Sequence, residues 1–199
     1  MNKKNIFISY VKFSLIYIVF CLLLIGLDQV TKELAVQYLK GNEDISVIPK
    51  VFSLSYVENH GAAFGILEGR QWLLIGVSFF FLALVLLFAL HIFRICQESR
   101  RENLSAAKYV FLILCMAFIT SGAIGNLIDR VRQGYVVDFL YLLTKNIPFL
   151  SFDFPVFNIA DCYVTIAAFS VILAGLFLFK EEELNKIFTF RDLKENNKS

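Results

Sequence analysis

Tyr109-Val-Phe-Leu-Ile-Leu-Cys-Met-Ala-Phe-Ile-Thr-Ser-Gly-Ala-Ile-Gly-Asn-Leu-Ile128 holds twenty residues without a charge, bracketed by Lys108 and Asp129. A bilayer crossing needs roughly 20 mostly apolar residues, because the hydrocarbon core is about 30 Å thick and a helix rises about 1.5 Å per residue. The run therefore reads as a transmembrane helix, and the same reading repeats on either side of it. Gln71 to Phe93 gives twenty-three uncharged residues, Phe13 to Leu27 fifteen, and Cys162 to Phe179 eighteen. The first and last of these fall short of a crossing unless the bounding residues Asp28 and Asp161 enter the membrane with them. An intramembrane carboxylate is costly and usually functional, so the shortfall is itself a signal.

Composition agrees with four spans. The 199 residues are 58% hydrophobic and 18% charged, with a mean hydropathy of +0.67, whereas a soluble domain carries about 25% charged residues. We expect an all-α membrane protein with four transmembrane helices, forming one domain over residues 1–180. A charged cytoplasmic tail, 181–199, follows and reads as a solvated helix extension. Twelve of the nineteen Lys and Arg lie in the N-terminal tail, the Arg94–Lys108 connection and the tail from Lys180, together 47 residues. The other two connections hold seven in 67 residues. The positive-inside rule then sets both termini in the cytoplasm. Lys3 and Lys4 precede an apolar stretch as in a secretory signal, but the stretch runs into Asp28-Gln29 without a small-x-small cleavage site, so it reads as an uncleaved anchor. Phe20 before Cys21 argues against lipid attachment there. A net charge of +2 without a basic patch points to no nucleic acid. Cys21, Cys96, Cys115 and Cys162 are scattered without a CxxC pair, which supports neither a disulfide framework nor a metal site. His60 and His91 have no partners at metal-ligand spacing.

With that orientation the polar residues converge. Asp28 on helix one, Asn126, Asp129 and Arg130 on helix three, and Asn158 and Asp161 on helix four all reach one depth near the outer face. Between helices three and four, Tyr135 to Leu143 is apolar except for Asp138. Nine residues cannot span, so the stretch is expected to form an interfacial helix after the helix breaker Gly134, carrying Asp138 towards Asp161. Phe52-Ser-Leu-Ser-Tyr56 alternates with period two, as in a half-buried strand. Phe152-Asp-Phe-Pro-Val156 alternates more weakly, and Pro155 limits it to an edge. A small extracytoplasmic β-element is expected from these two. Trp72 opens helix two as an aromatic interface anchor. Asp28 and Lys32 sit at i, i+4 with the acid first, the favourable order for a structural ion pair. Asn158 shares a helix face with Asp161, and Asn126, Asp129 and Arg130 share another.

Five blocks now stand out: Asp28-Gln-Val-Thr-Lys32, Asn59-His-Gly-Ala-Ala-Phe-Gly65, Gly122-Ala-Ile-Gly-Asn-Leu-Ile-Asp-Arg130, Val136-Val-Asp-Phe139 and Phe157-Asn-Ile-Ala-Asp161. In this order, over roughly residues 10 to 180, they resemble the signature blocks of bacterial lipoprotein signal peptidases (signal peptidase II). Ser121 stands where that family often has Gly, Cys162 where Ser is usual, and the charged tail exceeds the family core. The resemblance implies that Asp138 and Asp161 are the catalytic pair. It makes Asn59, Gly61, Ala62, Asn126, Asp129, Arg130, Asn158 and Ala160 substrate-binding or supporting residues. It implies no cofactor, and as partners membrane lipids and prolipoproteins bearing a diacylglyceryl group, cut just before the lipidated cysteine. A monomer in the inner (cytoplasmic) membrane, with its active site near the extracytoplasmic face, completes the expectation.

The chemistry of such a pair follows independently. Peptide hydrolysis needs a base to activate water and an acid to protonate the carbonyl oxygen or the leaving amine. Two carboxylates sharing one proton supply both, since like charges in close contact resist double ionisation. Which aspartate begins as base stays open at this level, as does a purely structural role for Asp129. A small proton-coupled transporter is the alternative, because carboxylates on several helices can relay protons. Against it, four spans are few and no pair of broken helices appears. A non-catalytic scaffold leaves the convergence unexplained. No GxSxG, HExxH or P-loop pattern is present.

Overall fold

The computed structural model of the chain describes residues 3–61, 70–101, 106–144 and 154–189. Its helices are α1 (Lys3–Leu39), α2 (Gln71–Arg101), α3 (Ala107–Gln133), α4 (Ile159–Phe177) and a short α5 (Glu181–Phe188); its strands are β1 (Ile45–Ile48), β2 (Phe52–Asn59) and β3 (Val136–Leu142). The first four helices are each long and apolar enough to cross a membrane. The charge-free run that looked short on α1 is resolved by continuity: the helix passes straight through Asp28, which has no exposed surface. At the other end of the chain, α4 takes Asp161 into its first turn.

α3 is the central helix. It packs against α1, α2 and α4, and half of its most apolar stretch is buried against 17% to 22% for the others. Small residues allow this closeness. A Cβ on Gly122 would stand 2.5 Å from the Ala160 carbonyl oxygen and 2.8 Å from Val164, and one on Gly125 would collide with the Asp28 carboxylate. The outer surfaces carry exposed Leu15, Ile16, Phe80, Ile166 and Phe169, a burden suited to lipid rather than water. Trp72 is 83% exposed in the first turn of α2, where an interface anchor is expected.

The expected β-element is a three-stranded antiparallel sheet in the order β1-β2-β3. The period-two segment at Phe52 is β2, as its alternation requires. One expectation fails: the stretch read as an interfacial helix is strand β3. Gly134 adopts φ +89°, and its N–H donates to the Arg130 carbonyl at 3.2 Å, ending α3 in a left-handed cap. The chain then turns onto β2, which pairs with Val136, Val137 and Asp138, while the Phe139 N–H donates to the Phe157 carbonyl at 3.0 Å. A short, continuous apolar run does not distinguish a buried strand from a helix by periodicity, and the β-branched pair Val136-Val137 favours the strand.

The second predicted edge is displaced by a residue. Phe152 and Asp153 lie outside the described residues, and 154–156 form no strand. Phe157 instead makes an antiparallel bridge with Leu140, its N–H donating to the Leu140 carbonyl at 3.0 Å. Pro155 has no N–H to offer a ladder, so pairing begins past it. The tail also departs from expectation. α5 is a separate helix whose Ile187 is buried among Ile92, Ile95, Tyr109 and Phe179, with Glu183 paired to Lys108 and His91 Nε2 3.1 Å from the Ile187 carbonyl. It is docked rather than solvated; residues 190–199 lie outside the described ones.

Candidate active site

Asp138 sits in the middle of β3, 2% exposed. It pairs across the ladder with Val57, and Asn59 is paired with Val136 two residues along. Asn59 is therefore its diagonal neighbour on the same sheet face. Asn59 Nδ2 donates to Asp138 Oδ2 at 2.9 Å, while its own Oδ1 accepts from the Gly61 N–H at 3.0 Å. Asn158 Nδ2 donates to the other oxygen, Oδ1, at 2.7 Å. Burial, reinforced by the negative charge of Asp161, lifts the Asp138 carboxyl to about 7 in spite of these two amides. This is the behaviour of a desolvated acid beside a like charge.

Asp161 belongs to an N-terminal capping box. Asn158 is the N-cap of α4: its Oδ1 accepts from the Asp161 N–H at 3.0 Å, and Asp161 Oδ2 accepts from the Asn158 N–H at 3.1 Å. Two otherwise orphaned helix donors are thereby satisfied. The remaining oxygen, Asp161 Oδ1, accepts from Asn126 Nδ2 at 2.8 Å. Asn158 thus touches both carboxylates, and it is fully buried. An amide that donates to one acid while capping the helix that carries the other fixes their relative position.

Behind the pair lies a hub. Lys32 Nζ is 3.0 Å from Asp28 Oδ2, 2.9 Å from Asp129 Oδ2 and 2.9 Å from Asn126 Oδ1. Each of the two hub aspartates holds the backbone just before one member of the pair. The Val137 N–H donates to Asp129 Oδ2 at 3.2 Å, and the Ala160 N–H donates to Asp28 Oδ1 at 3.0 Å. One ammonium therefore anchors, by two matching arms, the strand carrying Asp138 and the helix carrying Asp161. Asp28, whose carboxylate meets the N-terminus of α4, also lies where the helix dipole favours negative charge.

Asn59, Asn126, Arg130, Asp138 and Asp161 line one cavity of about 440 Å³, together with the apolar Val136, Val156 and Val164. That is within the range of ligand sites, roughly 300 to 1,000 Å³. Arg130 donates to the Gly61 carbonyl at 3.1 Å, tying α3 to the end of β2.

The structure thus brings together Asn59, Gly61, Asn126, Asp129, Arg130, Asn158, Ala160, Asp138 and Asp161, with the Asp28/Lys32 pair behind them. Ala62 lies outside the described residues. Asn126 Oδ1 accepts from Lys32 and Asn158 while its Nδ2 donates to Asp161, so it orients a carboxylate. Asp129 joins the hub. Gln29, given no role by the sequence, joins the hub: its Nε2 lies 3.2 Å from Asp28 Oδ2, 3.2 Å from the Gly125 carbonyl and 3.0 Å from Asp129 Oδ1. Its signal was an uncharged polar residue beside Asp28 in an apolar helix. Gln71 was also given no role by the sequence; its Nε2 donates to the Arg130 carbonyl at 2.6 Å beside the Gly134 cap. Nothing local in sequence marks that contact.

The family model for signal peptidase (SPase) II matches residues 20–177. A lipoprotein signal peptidase of Clostridium tetani (strain Massachusetts / E88) is 39% identical over 174 residues, 86% of this chain and 99% of that protein. One of Streptococcus thermophilus (strain CNRZ 1066) is 40% identical over 161 residues, 81% of this chain and 90% of that one. Among solved structures, a bacterial membrane enzyme determined in meso superposes with a TM-score of 0.64 at 28% identity, covering 89% of this chain and 94% of its own. A second gives 0.61 at 30% identity, with 81% and 92% covered.

Proposed function

The chain belongs to the signal peptidase II family, a multi-pass bacterial membrane peptidase of prolipoprotein processing, and from that premise we propose that it cuts by an aspartyl mechanism. One observation carries the proposal: Asp138 and Asp161 face one cavity, each held by side-chain amides, with Asn158 bridging between them. The raised Asp138 carboxyl supports assigning it the shared proton at neutral pH, which leaves Asp161 as the initial base.

In the first step, Asp161 removes a proton from water as the water oxygen adds to the scissile carbonyl carbon, while Asp138 gives its proton to the carbonyl oxygen. A neutral tetrahedral diol results. In the second step, Asp161 returns its proton to the leaving nitrogen, Asp138 takes a hydroxyl proton, the C–N bond breaks and the carbonyl re-forms. The pair ends as it began. Each general acid–base contribution is worth about 10² to 10⁴ in rate. The amides of Asn59, Asn126 and Asn158 hold the carboxylates in position before substrate arrives, so little reorganisation accompanies the charge movement.

The substrate in this proposal is a prolipoprotein whose cysteine already bears a diacylglyceryl group, and the bond cut is the one before that cysteine. Val136, Val156 and Val164 among the cavity's lining residues support a substrate with an apolar portion. The described site residues all come from one chain, which supports a monomer. Purified protein incubated with a diacylglyceryl-modified prolipoprotein peptide should release the signal segment equally with and without a metal chelator. Cleavage that requires metal would overturn the aspartyl reading.

Orientation belongs to the same proposal, with both termini cytoplasmic and the pair near the extracytoplasmic face of the inner membrane. The Lys and Arg asymmetry supports it. In a cysteine-free background, Lys50→Cys on the β1–β2 turn should react with an impermeant thiol reagent in intact cells. Glu182→Cys on α5 should not. The opposite pattern reverses the assignment.

A further inference from the structure

At the end of the bundle away from the aspartates, a second cavity of about 450 Å³ opens between α1, α2 and α3. Both α1 and α2 pack against α3, and they meet each other through Phe13 and Phe93, whose rings stack at 3.8 Å. Around that stacked pair the walls are apolar, with Ile16, Phe20, Val110, Ile113 and Leu114. Polar residues line it from α1, with Ser9, Lys12 and Tyr17, and from the last turn of α2, with Gln97 and Arg100. Among the described residues that line it there is no carboxylate, and Lys12 and Arg100 are both exposed.

We propose that this cavity is a binding site for one glycerophospholipid with a net negative headgroup. Its phosphate is held between Lys12 and Arg100, and an acyl chain lies along the apolar wall beside Phe13 and Phe93. Two features of the site favour that occupant. A sealed structural cavity would not need two cations at its rim, and a soluble anion would not need an apolar slot of this volume. Arginine offers a planar fork to a phosphate and lysine a mobile point charge, while Gln97 and Ser9 add neutral donors for ester and glycerol oxygens. The two cations come from helices adjoining the segments richest in Lys and Arg. With the orientation proposed above, they lie in the cytoplasmic leaflet, where anionic lipids attract basic residues. The inference does not depend on the peptidase reaction: none of these residues touches the aspartates or their cavity.

The test uses the full chain in detergent, titrated with phosphatidylglycerol or with phosphatidylcholine of the same acyl chains, and read by native mass spectrometry. The wild type should retain one phosphatidylglycerol in preference to phosphatidylcholine. Each charge removed should weaken retention by roughly fivefold, from about 1 kcal/mol per basic residue at an anionic lipid surface. Lys12→Gln/Arg100→Gln should therefore lose most of the preference. Both are exposed substitutions, so fold is not at risk. Ile113→Trp, which fills the slot, should lower retention of both lipids, and if it fails to fold the charge variant still decides. Glycerol phosphate alone should not displace the lipid. Equal retention of the two lipids, an unchanged preference in the double variant, or displacement by glycerol phosphate would each overturn the proposal.

Discussion

The two ends of the four-helix bundle are built on opposite principles. At one end Asp28, Lys32, Asp129, Asp138 and Asn158 are buried together, and among the described residues no buried side-chain N or O atom lacks a partner. At the other end Ile92, Ile95, Tyr109, Leu112 and Phe179 form an apolar cluster that α5 closes with Ile187. Hydrogen bonds and ion pairs are directional and, away from water, strong when complete and costly when incomplete. Hydrophobic packing is non-directional and accommodates exchange of similar volume. Directional contacts are concentrated where two carboxylates must be held at a set separation, and the opposite end is fastened mainly by shape.

The sharpest way to break that comparison is at the pair. Asp138→Asn or Asp161→Asn keeps volume and some hydrogen bonding but removes the titratable proton. Cleavage of the lipidated peptide should fall by about a hundredfold or more, and the double variant should be scarcely worse than either single one, because the groups act as a unit. A folded variant with near-normal turnover would remove that residue from the reaction.

Next comes the hub. Lys32→Met leaves Asp28 and Asp129 as buried carboxylates without their cation, a loss of about 3 to 5 kcal/mol for a broken buried pair. Folded yield and thermal midpoint in detergent should drop more than turnover per folded molecule. Collapse of turnover with unchanged stability would move Lys32 into the reaction itself.

A pH series sharpens the contrast. Asp138 is raised to about 7, so the folded state holds its proton where the unfolded chain has lost it. The corresponding stability is fully present below pH of about 4, the ordinary carboxyl value, and is lost as pH rises through about 7. The effect is on the order of a few kcal/mol. Melting of the wild type should therefore worsen between those limits, and melting of Asp138→Asn should not show that decline. Activity should trace a bell, falling when the pair is doubly protonated or doubly ionised. A flat alkaline limb to well above neutrality would contradict the assignment of the proton.

The smallest effect is expected at the apolar end. Lys108 and Glu183 pair α3 with α5 near the surface, where Lys108 holds the Glu183 carboxyl below its usual range. Both side chains retain about a quarter of their exposure, at 22% and 26%, so solvent screens the pair to about 0 to 1 kcal/mol. Glu183→Gln should leave activity intact and shift the melting midpoint only slightly. A large loss would mean that the tail helix matters to the site, and the two ends would no longer be independent.

Much of this protein was written in local sequence. Charge-free runs announced four spans because hydrocarbon leaves the backbone no partner but its own helix, and the shortfalls at Asp28 and Asp161 announced carboxylates carried on the spanning helices. Spacing gave the faces of α3 and α4, and the period-two segment gave β2. Tertiary structure decided the rest. Whether Val136–Leu142 became helix or strand depended on a partner, β2, more than seventy residues earlier in the chain. That Asn126 would orient Asp161 depended on where α4, Lys32 and Asn158 arrived. The docking of α5 depended on a pocket shared by α2, α3 and α4, which no window of the tail contains. Periodicity reports which face of an element is apolar. It carries no information about which distant polar group will complete a buried hydrogen bond, because that choice is made only when separate helices close on one another and water is excluded.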